Sequence, residues 1–158
     1  IRCSVWRPWW RASPRMRWHK RVVELDPSYY PGHLALALDL LRLGRPAEAL
    51  VAAQRALRLD PLAMGTRMVL ATTQLAAGRI EEAEAVYRSD LGLDGKLSRA
   101  CQHPDNLWSL HGLHECLVRR GEKVETALIK QRLDLATARS EVPIKASCFC
   151  RGIAMAAE

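Results

Sequence analysis

The sequence of 158 residues lacks any long apolar run and has few aromatic residues. Aromatic residues make up 6% of the chain, and Phe149 is the only phenylalanine. The longest apolar stretch, between His33 and Leu43, is interrupted by Asp39 and Arg42, whereas a membrane-spanning helix needs about 20 mostly apolar residues. We therefore expect no membrane span.

Acidic residues are absent from the first 21 positions, which hold seven of the 24 basic residues. A basic segment rich in tryptophan suits single-stranded nucleic acid or a membrane surface. Two prolines exclude one continuous amphipathic helix, so we expect residues 1–14 to be irregular, and the segment could also reflect a fragment boundary. The rest of the chain is balanced in charge, so we expect no nucleic-acid partner. Four of the five tryptophans lie in this segment: Trp6, Trp9, Trp10 and Trp18.

Motifs typical of catalysis are also missing. The chain has no glycine-rich loop that would hold a phosphate and no nucleophile turn between a strand and a helix. Cys116 and His111 form an imaginable nucleophile pair, but no third group to orient them is apparent. We therefore expect no enzymatic activity.

An internal repeat is the strongest signal that is present. A shift of 34 residues places Leu25-Asp26-Pro27 on Leu59-Asp60-Pro61 and Gly44 on Gly78. A shift of 43 residues places Gly78 on Gly121, so a third unit follows nine extra residues. Repetition at this period predicts stacked copies of one small structural unit.

Each unit reads as two antiparallel helices that meet at a glycine. In the best-formed unit, leucines from Leu34 to Leu43 build the first helix, and Gly44 ends it because glycine adopts a left-handed conformation without steric cost. Pro46 then begins the second helix, where its missing N–H would have had no partner. The repeats therefore predict an all-α fold.

The segments Gly44-Arg45-Pro46-Ala47-Glu48-Ala49-Leu50 and Gly78-Arg79-Ile80-Glu81-Glu82-Ala83 resemble tetratricopeptide repeats. The later part of the chain also resembles the carboxy-terminal end of longer multi-repeat proteins. This resemblance implies a right-handed solenoid of antiparallel helix pairs over residues 15–141, with a carboxy-terminal tail or cap at 142–158. Within the solenoid we expect a partial repeat at 15–27, repeats at 30–61, 64–91 and 107–139, and an insertion at 92–106.

The resemblance also implies a protein-binding scaffold with a concave groove lined by the first helix of each repeat. An apolar groove with a polar end suits a partner protein or peptide that presents an apolar helix. The amino-terminal part of a longer form of this same protein is an alternative occupant. The predicted groove residues are Leu34, Leu38, Leu41, Met68, Thr72, Leu75, Trp108, His111, Glu115 and Arg119.

A metal site is the alternative function, since thiolate and imidazole are ligands that zinc and copper(I) prefer. Only one residue separates Cys148 from Cys150, and this spacing is unusual for a structural zinc site. We therefore expect no cofactor and keep Zn or Cu as the alternative. Five cysteines without a secretory signal suggest free thiols in the cytoplasm. The candidate ligands are His111, His114, Cys116, Cys148 and Cys150.

Overall fold

The computed structural model describes residues 14–142 and 144–147. These residues form an all-α solenoid in which antiparallel helix pairs stack side by side, as the sequence predicts. None of the described helices is long and apolar enough to cross a membrane. The helices are α1 (Pro14–Leu25), α2 (Tyr30–Arg42), α3 (Pro46–Leu59), α4 (Met64–Ala76), α5 (Ile80–Asp90), α6 (Leu107–Arg120) and α7 (Lys123–Ala138), with a short 3-10 helix at Arg99–Cys101.

The turn inside each helix pair is made by a glycine in the left-handed conformation. Gly44, Gly78 and Gly121 have φ values of 65°, 77° and 77°, which side chains with a Cβ rarely adopt. The amide after each glycine returns to a carbonyl of the last helical turn and closes the helix end. These hydrogen bonds run from Arg45 N to Leu40 O, from Arg79 N to Gln74 O, and from Glu122 N to Leu117 O.

Two polar side chains near the start of the first helix of successive repeats make equivalent hydrogen bonds. His33 Nε2 lies 3.0 Å from the carbonyl oxygen of Pro27, and Arg67 donates from one terminal nitrogen to the carbonyl oxygen of Pro61 at 3.1 Å. Both positions and both acceptors are one repeat apart. Each side chain therefore ties its helix to the preceding Asp-Pro turn by an equivalent hydrogen bond.

The hydrophobic core runs through the stack as two clusters that share α4. One cluster joins α1, α2, α3 and α4, and the other joins α4, α5, α6 and α7. Every residue of α4 from Thr66 to Leu75 is buried, because α4 packs against both flanking pairs. The central helix therefore has little side-chain surface left for a partner.

The insertion between α5 and α6 is anchored by the buried carboxylate of Asp90. Its Oδ1 lies 2.9 Å from His103 Nδ1, and its Oδ2 accepts hydrogen bonds from Asn106 Nδ2 at 2.9 Å and Ser109 Oγ at 2.5 Å. Asn106 in turn caps α6 by accepting from the amide of Trp108 at 3.1 Å. One carboxylate therefore fixes both the returning loop and the start of α6.

An ion-pair network joins α5, α6 and α7. Arg88 donates to Glu84 at 2.7 Å and, through both terminal nitrogens, to Glu125 at 2.7 and 2.6 Å. Arg120 donates to the other oxygen of Glu84 at 2.6 Å. Burial alone would raise the pKa of Glu84, but the hydrogen bonds from Arg120 and Arg88 lower that pKa below its ordinary value. The network therefore favours the charged form of a buried carboxyl.

Candidate functional site

An apolar strip lies along one side of α2. Leu34, Leu38 and Leu41 are spaced by four and three residues, which places them on one face of the helix. All three are half-buried and pack against the cluster shared by the first four helices. Leu34 also reaches the next repeat, since its Cδ2 lies 3.9 Å from the position that a Cβ on Gly65 would take. We call these three residues the α2 leucine strip.

The groove prediction is wrong for the three α4 residues. Thr72 and Leu75 are 0% exposed and Met68 is 9% exposed. Thr72 Oγ1 donates to the carbonyl oxygen of Met68 at 2.9 Å, and the Met68 sulfur lies 3.1 Å from Ser109 Oγ. These side chains therefore face the inside of the stack, because α4 is enclosed by both neighbouring repeats.

The predicted groove residues on α6 share one side of that helix. Trp108, His111, Glu115 and Arg119 are three or four residues apart, and Glu115 pairs with Arg119 at 2.6 Å. Trp108 is half-buried against the second core cluster, whereas Arg119 is exposed. This side of α6 is therefore polar towards its carboxy-terminal end.

A segment of the chain itself already covers part of this side of α6. The Nε2 atom of His111 lies 2.8 Å from the carbonyl oxygen of Ile144. Ala146 and Ser147 are buried, with 9% and 2% of their surfaces exposed. A partner that bound His111 Nε2 would have to displace the carbonyl oxygen of Ile144.

The candidate metal ligands on α6 are not brought together. Cys116 is fully buried in the second core cluster. At 100° per residue, it lies about 160° around the helix from His114. Within residues 14–142 and 144–147, no group of three or more His, Cys, Asp or Glu side chains could hold a metal. Cys148 and Cys150 lie outside the described residues.

The environment of His114 disfavours its protonated form. Burial lowers the pKa of His114 below its ordinary value, and the positive charge of Lys130 on α7 lowers that pKa further. Two neighbouring histidines on α6 therefore have different roles. His111 contacts the carboxy-terminal segment, whereas His114 lies in a partly buried environment that lowers its pKa.

Sequence reasoning missed Gly112, which determines how closely α6 approaches α5. A Cβ at this position would lie 2.2 Å from Tyr87 Cζ and 2.4 and 2.5 Å from the two Cε atoms. Three nearly equal distances place that point over the face of the ring. The available signal was a glycine in the middle of a strong helix, which suggests a close packing contact.

Comparisons with known proteins agree with this architecture. The tetratricopeptide repeat family profile matches residues 40–92. The search of curated proteins found no match. A solved structure described as "Crystal structure of MamA" is 15% identical and superimposes with a TM-score of 0.66, covering 78% of this chain and 67% of its own. One described as "MamA MSR-1 C2" is 15% identical with a TM-score of 0.63, covering 78% and 66%. One described as "Crystal structure of MamA protein" is also 15% identical with a TM-score of 0.63, covering 82% and 68%. The chain is similar to these structures in fold.

Proposed function

We propose that this chain binds an apolar helix of a partner protein along the α2 leucine strip. Its tetratricopeptide repeats and solenoid fold favour a protein-interaction scaffold in general. The observation that carries the proposal is the half-exposed state of Leu34, Leu38 and Leu41 on one side of α2. Core leucines at the same spacing, such as Leu110, Leu113 and Leu117 on α6, are fully buried. The α2 leucines therefore keep apolar surface that a partner can cover.

The spacing of the strip fits a helical partner. Residues 34, 38 and 41 span about 10 Å along the helix axis, which is about two turns. A docked helix presents apolar side chains at the same spacing, so two strips can interlock over these turns. We assign binding and not catalysis to this surface, because it offers apolar contact and no polar group that could act on a substrate.

The proposed surface is smaller than the groove predicted from the sequence. Met68, Thr72 and Leu75 are left out because they are buried. On α6, His111 already contacts the carbonyl oxygen of Ile144, whereas Arg119 is exposed. The proposed surface is therefore the α2 leucine strip, with α6 as a polar edge that the chain itself partly covers.

A displayed library of helical peptides without acidic residues tests the proposal, so that the selection reports apolar contact alone. Peptides selected on the natural chain are expected to carry apolar residues at helical spacing and to lose binding to the Leu38→Glu variant, because the glutamate places a charge in the apolar contact. Val124→Glu is the matched control, since Val124 lies on α7 and is 80% exposed. Both variants should keep the helical circular dichroism spectrum.

Unchanged peptide binding by Leu38→Glu would show that the strip is not the binding surface. Equal loss in the Val124→Glu control would point to a general effect of added negative charge. Met68→Glu is unsuitable for this test, because it would bury a charge inside the stack and destabilise the fold.

A further inference from the structure

We propose that the chain has a second docking surface, a cleft between α1 and α3, which binds an acidic amphipathic helix of a partner protein. The floor of the cleft is α2, and its volume is about 480 Å³. We call it the basic cleft. It differs from the surface proposed above in both position and charge.

The floor of the basic cleft is apolar. Five apolar residues and the buried His33 line it, the apolar ones being Val23 of α1, Leu36 and Leu40 of α2, and Val51 and Ala52 of α3. Val51 is 65% exposed although it lies in the middle of α3. An exposed valine beside the half-buried Leu36 and the buried Leu40 provides an apolar surface on which a helix can rest its apolar side.

The rim of the basic cleft is positively charged. Lys20, Arg55 and Arg58 line it, and among the described residues none of these three makes an ion pair or a side-chain hydrogen bond. The one acid of the lining, Glu48, already accepts from Arg45 Nε at 2.6 Å. Three cations without internal partners around an apolar floor favour a ligand with acidic flanks.

The dimensions of the cleft suit a short helix. The α3 wall extends from Glu48 to Arg58, which is about 15 Å or three helical turns. A ligand helix of about that length presents two or three apolar side chains to the floor and acidic side chains to the rim.

Charge also argues against the chain's own amino-terminal residues as the occupant. Residues 1–13 lead directly into α1 and carry Arg2, Arg7 and Arg11 without an acid. Placing them beside Lys20 and Arg55 would bring like charges together. We therefore assign the cleft to a partner with acidic residues, and residues 1–13 become a competitor in the test.

The basic cleft and the α2 leucine strip can be tested separately. Leu36 and Leu40 lie about 150° around α2 from the centre of the strip, at 100° per residue. A change in one surface therefore leaves the other side of the helix in place, and the two proposals can fail independently.

The experiment uses two fluorescently labelled, side-chain-stapled helices of about 14 residues, which span about 21 Å. Both have leucines at helical spacing, and one has glutamates where the other has lysines on the flanks. The full chain carries Leu38→Glu in this experiment, so that the leucines of either helix cannot use the α2 leucine strip. Fluorescence anisotropy is expected to show binding of the glutamate helix and at least about tenfold weaker binding of the lysine helix. The affinity should fall as salt is raised, because salt screens the exposed charges of the rim.

Variants locate the binding. Adding Arg55→Glu and Arg58→Glu to this chain should weaken the binding of the glutamate helix by at least about tenfold. The matched control is Lys123→Glu with Arg139→Glu, which makes the same charge change at two exposed positions near the ends of α7. In the same Leu38→Glu chain, this control should bind the glutamate helix as tightly as the chain without it.

Three outcomes would overturn the proposal. The first is absence of binding, or equal binding of the two helices. The second is equal loss of affinity in the control double variant, which would show a general charge effect. The third is displacement of the glutamate helix by a synthetic peptide of residues 1–13, which would make the chain's own segment the occupant.

Discussion

Replacing Gly112 with alanine should destabilise the protein, although alanine is the better helix former. In an open helix the change from glycine to alanine stabilises by about 1 kcal/mol. At Gly112 the new methyl group would lie 2.2 Å from Tyr87 Cζ, where carbon atoms in contact normally stay about 3.5 to 4.0 Å apart. The ring or α6 must therefore move by more than 1 Å.

The size of the effect follows from the surroundings of the ring. Tyr87 is fully buried, and Leu110, Leu113 and Leu117 of α6 belong to the same core cluster. Overpacking of a closed core costs about 1 to 3 kcal/mol of stability. Because the ring or α6 must move by more than 1 Å, we expect a cost near the upper end of that range. After the gain in helix propensity, we expect a net loss of about 2 kcal/mol in the free energy of unfolding.

Urea unfolding followed by circular dichroism measures this loss. Gly65→Ala is the matched control, because a Cβ at Gly65 of α4 meets only Leu34 Cδ2 at 3.9 Å, and this variant should be neutral or more stable. The loss of unfolding free energy caused by Gly112→Ala should also be much smaller in a protein that carries Tyr87→Ala, because that change removes the clashing ring. A Gly112→Ala protein as stable as Gly65→Ala would refute the close approach of α5 and α6.

Two further predictions concern charge and metal. The free energy of unfolding should fall as the pH drops below 4.5, the ordinary pKa of glutamate, because Glu84 has a lowered pKa in the folded state and its stabilising contribution is lost as it becomes protonated. Replacing this residue in a Glu84→Gln variant should lower the stability at neutral pH and flatten its pH dependence, and an unchanged acid slope would contradict the network. For the metal alternative, elemental analysis of freshly purified protein should find no stoichiometric zinc or copper. Stoichiometric metal in the natural chain that is lost in a His111→Ala, Cys148→Ser variant would instead support the metal site.

The repeat period allowed the all-α solenoid to be predicted, because its signals are local. Glycine at 44 and 78 ends a helix through its own backbone freedom, and the structure shows both in the left-handed conformation. The Asp-Pro turns repeat for the same reason, since Asp26 and Asp60 accept from amides just after them in the chain. Signals of this kind need no knowledge of distant contacts.

The surface of α4 could not be predicted in the same way. Helical spacing placed Met68, Thr72 and Leu75 on one side of α4, but it does not show which sides of a central helix its neighbours cover. The hydrogen bonds of Asp90 could not be predicted either. The side chains of His103, Asn106 and Ser109 meet that carboxylate only after the insertion folds back. The binding surface proposed for Leu34, Leu38 and Leu41 stays a prediction.

Nuclear Overhauser effects from two glycines test the stacking of the repeats most directly. Cross-peaks are expected between Gly112 Hα and the ring protons of Tyr87, with Gly112 Hα shifted upfield because it lies over the face of the ring. A further cross-peak is expected between a methyl group of Leu34 and Gly65, which lie on the first helices of two neighbouring repeats. Ordinary chemical shifts at Gly112 and the absence of both contacts would contradict the stacked arrangement on which the binding surfaces depend.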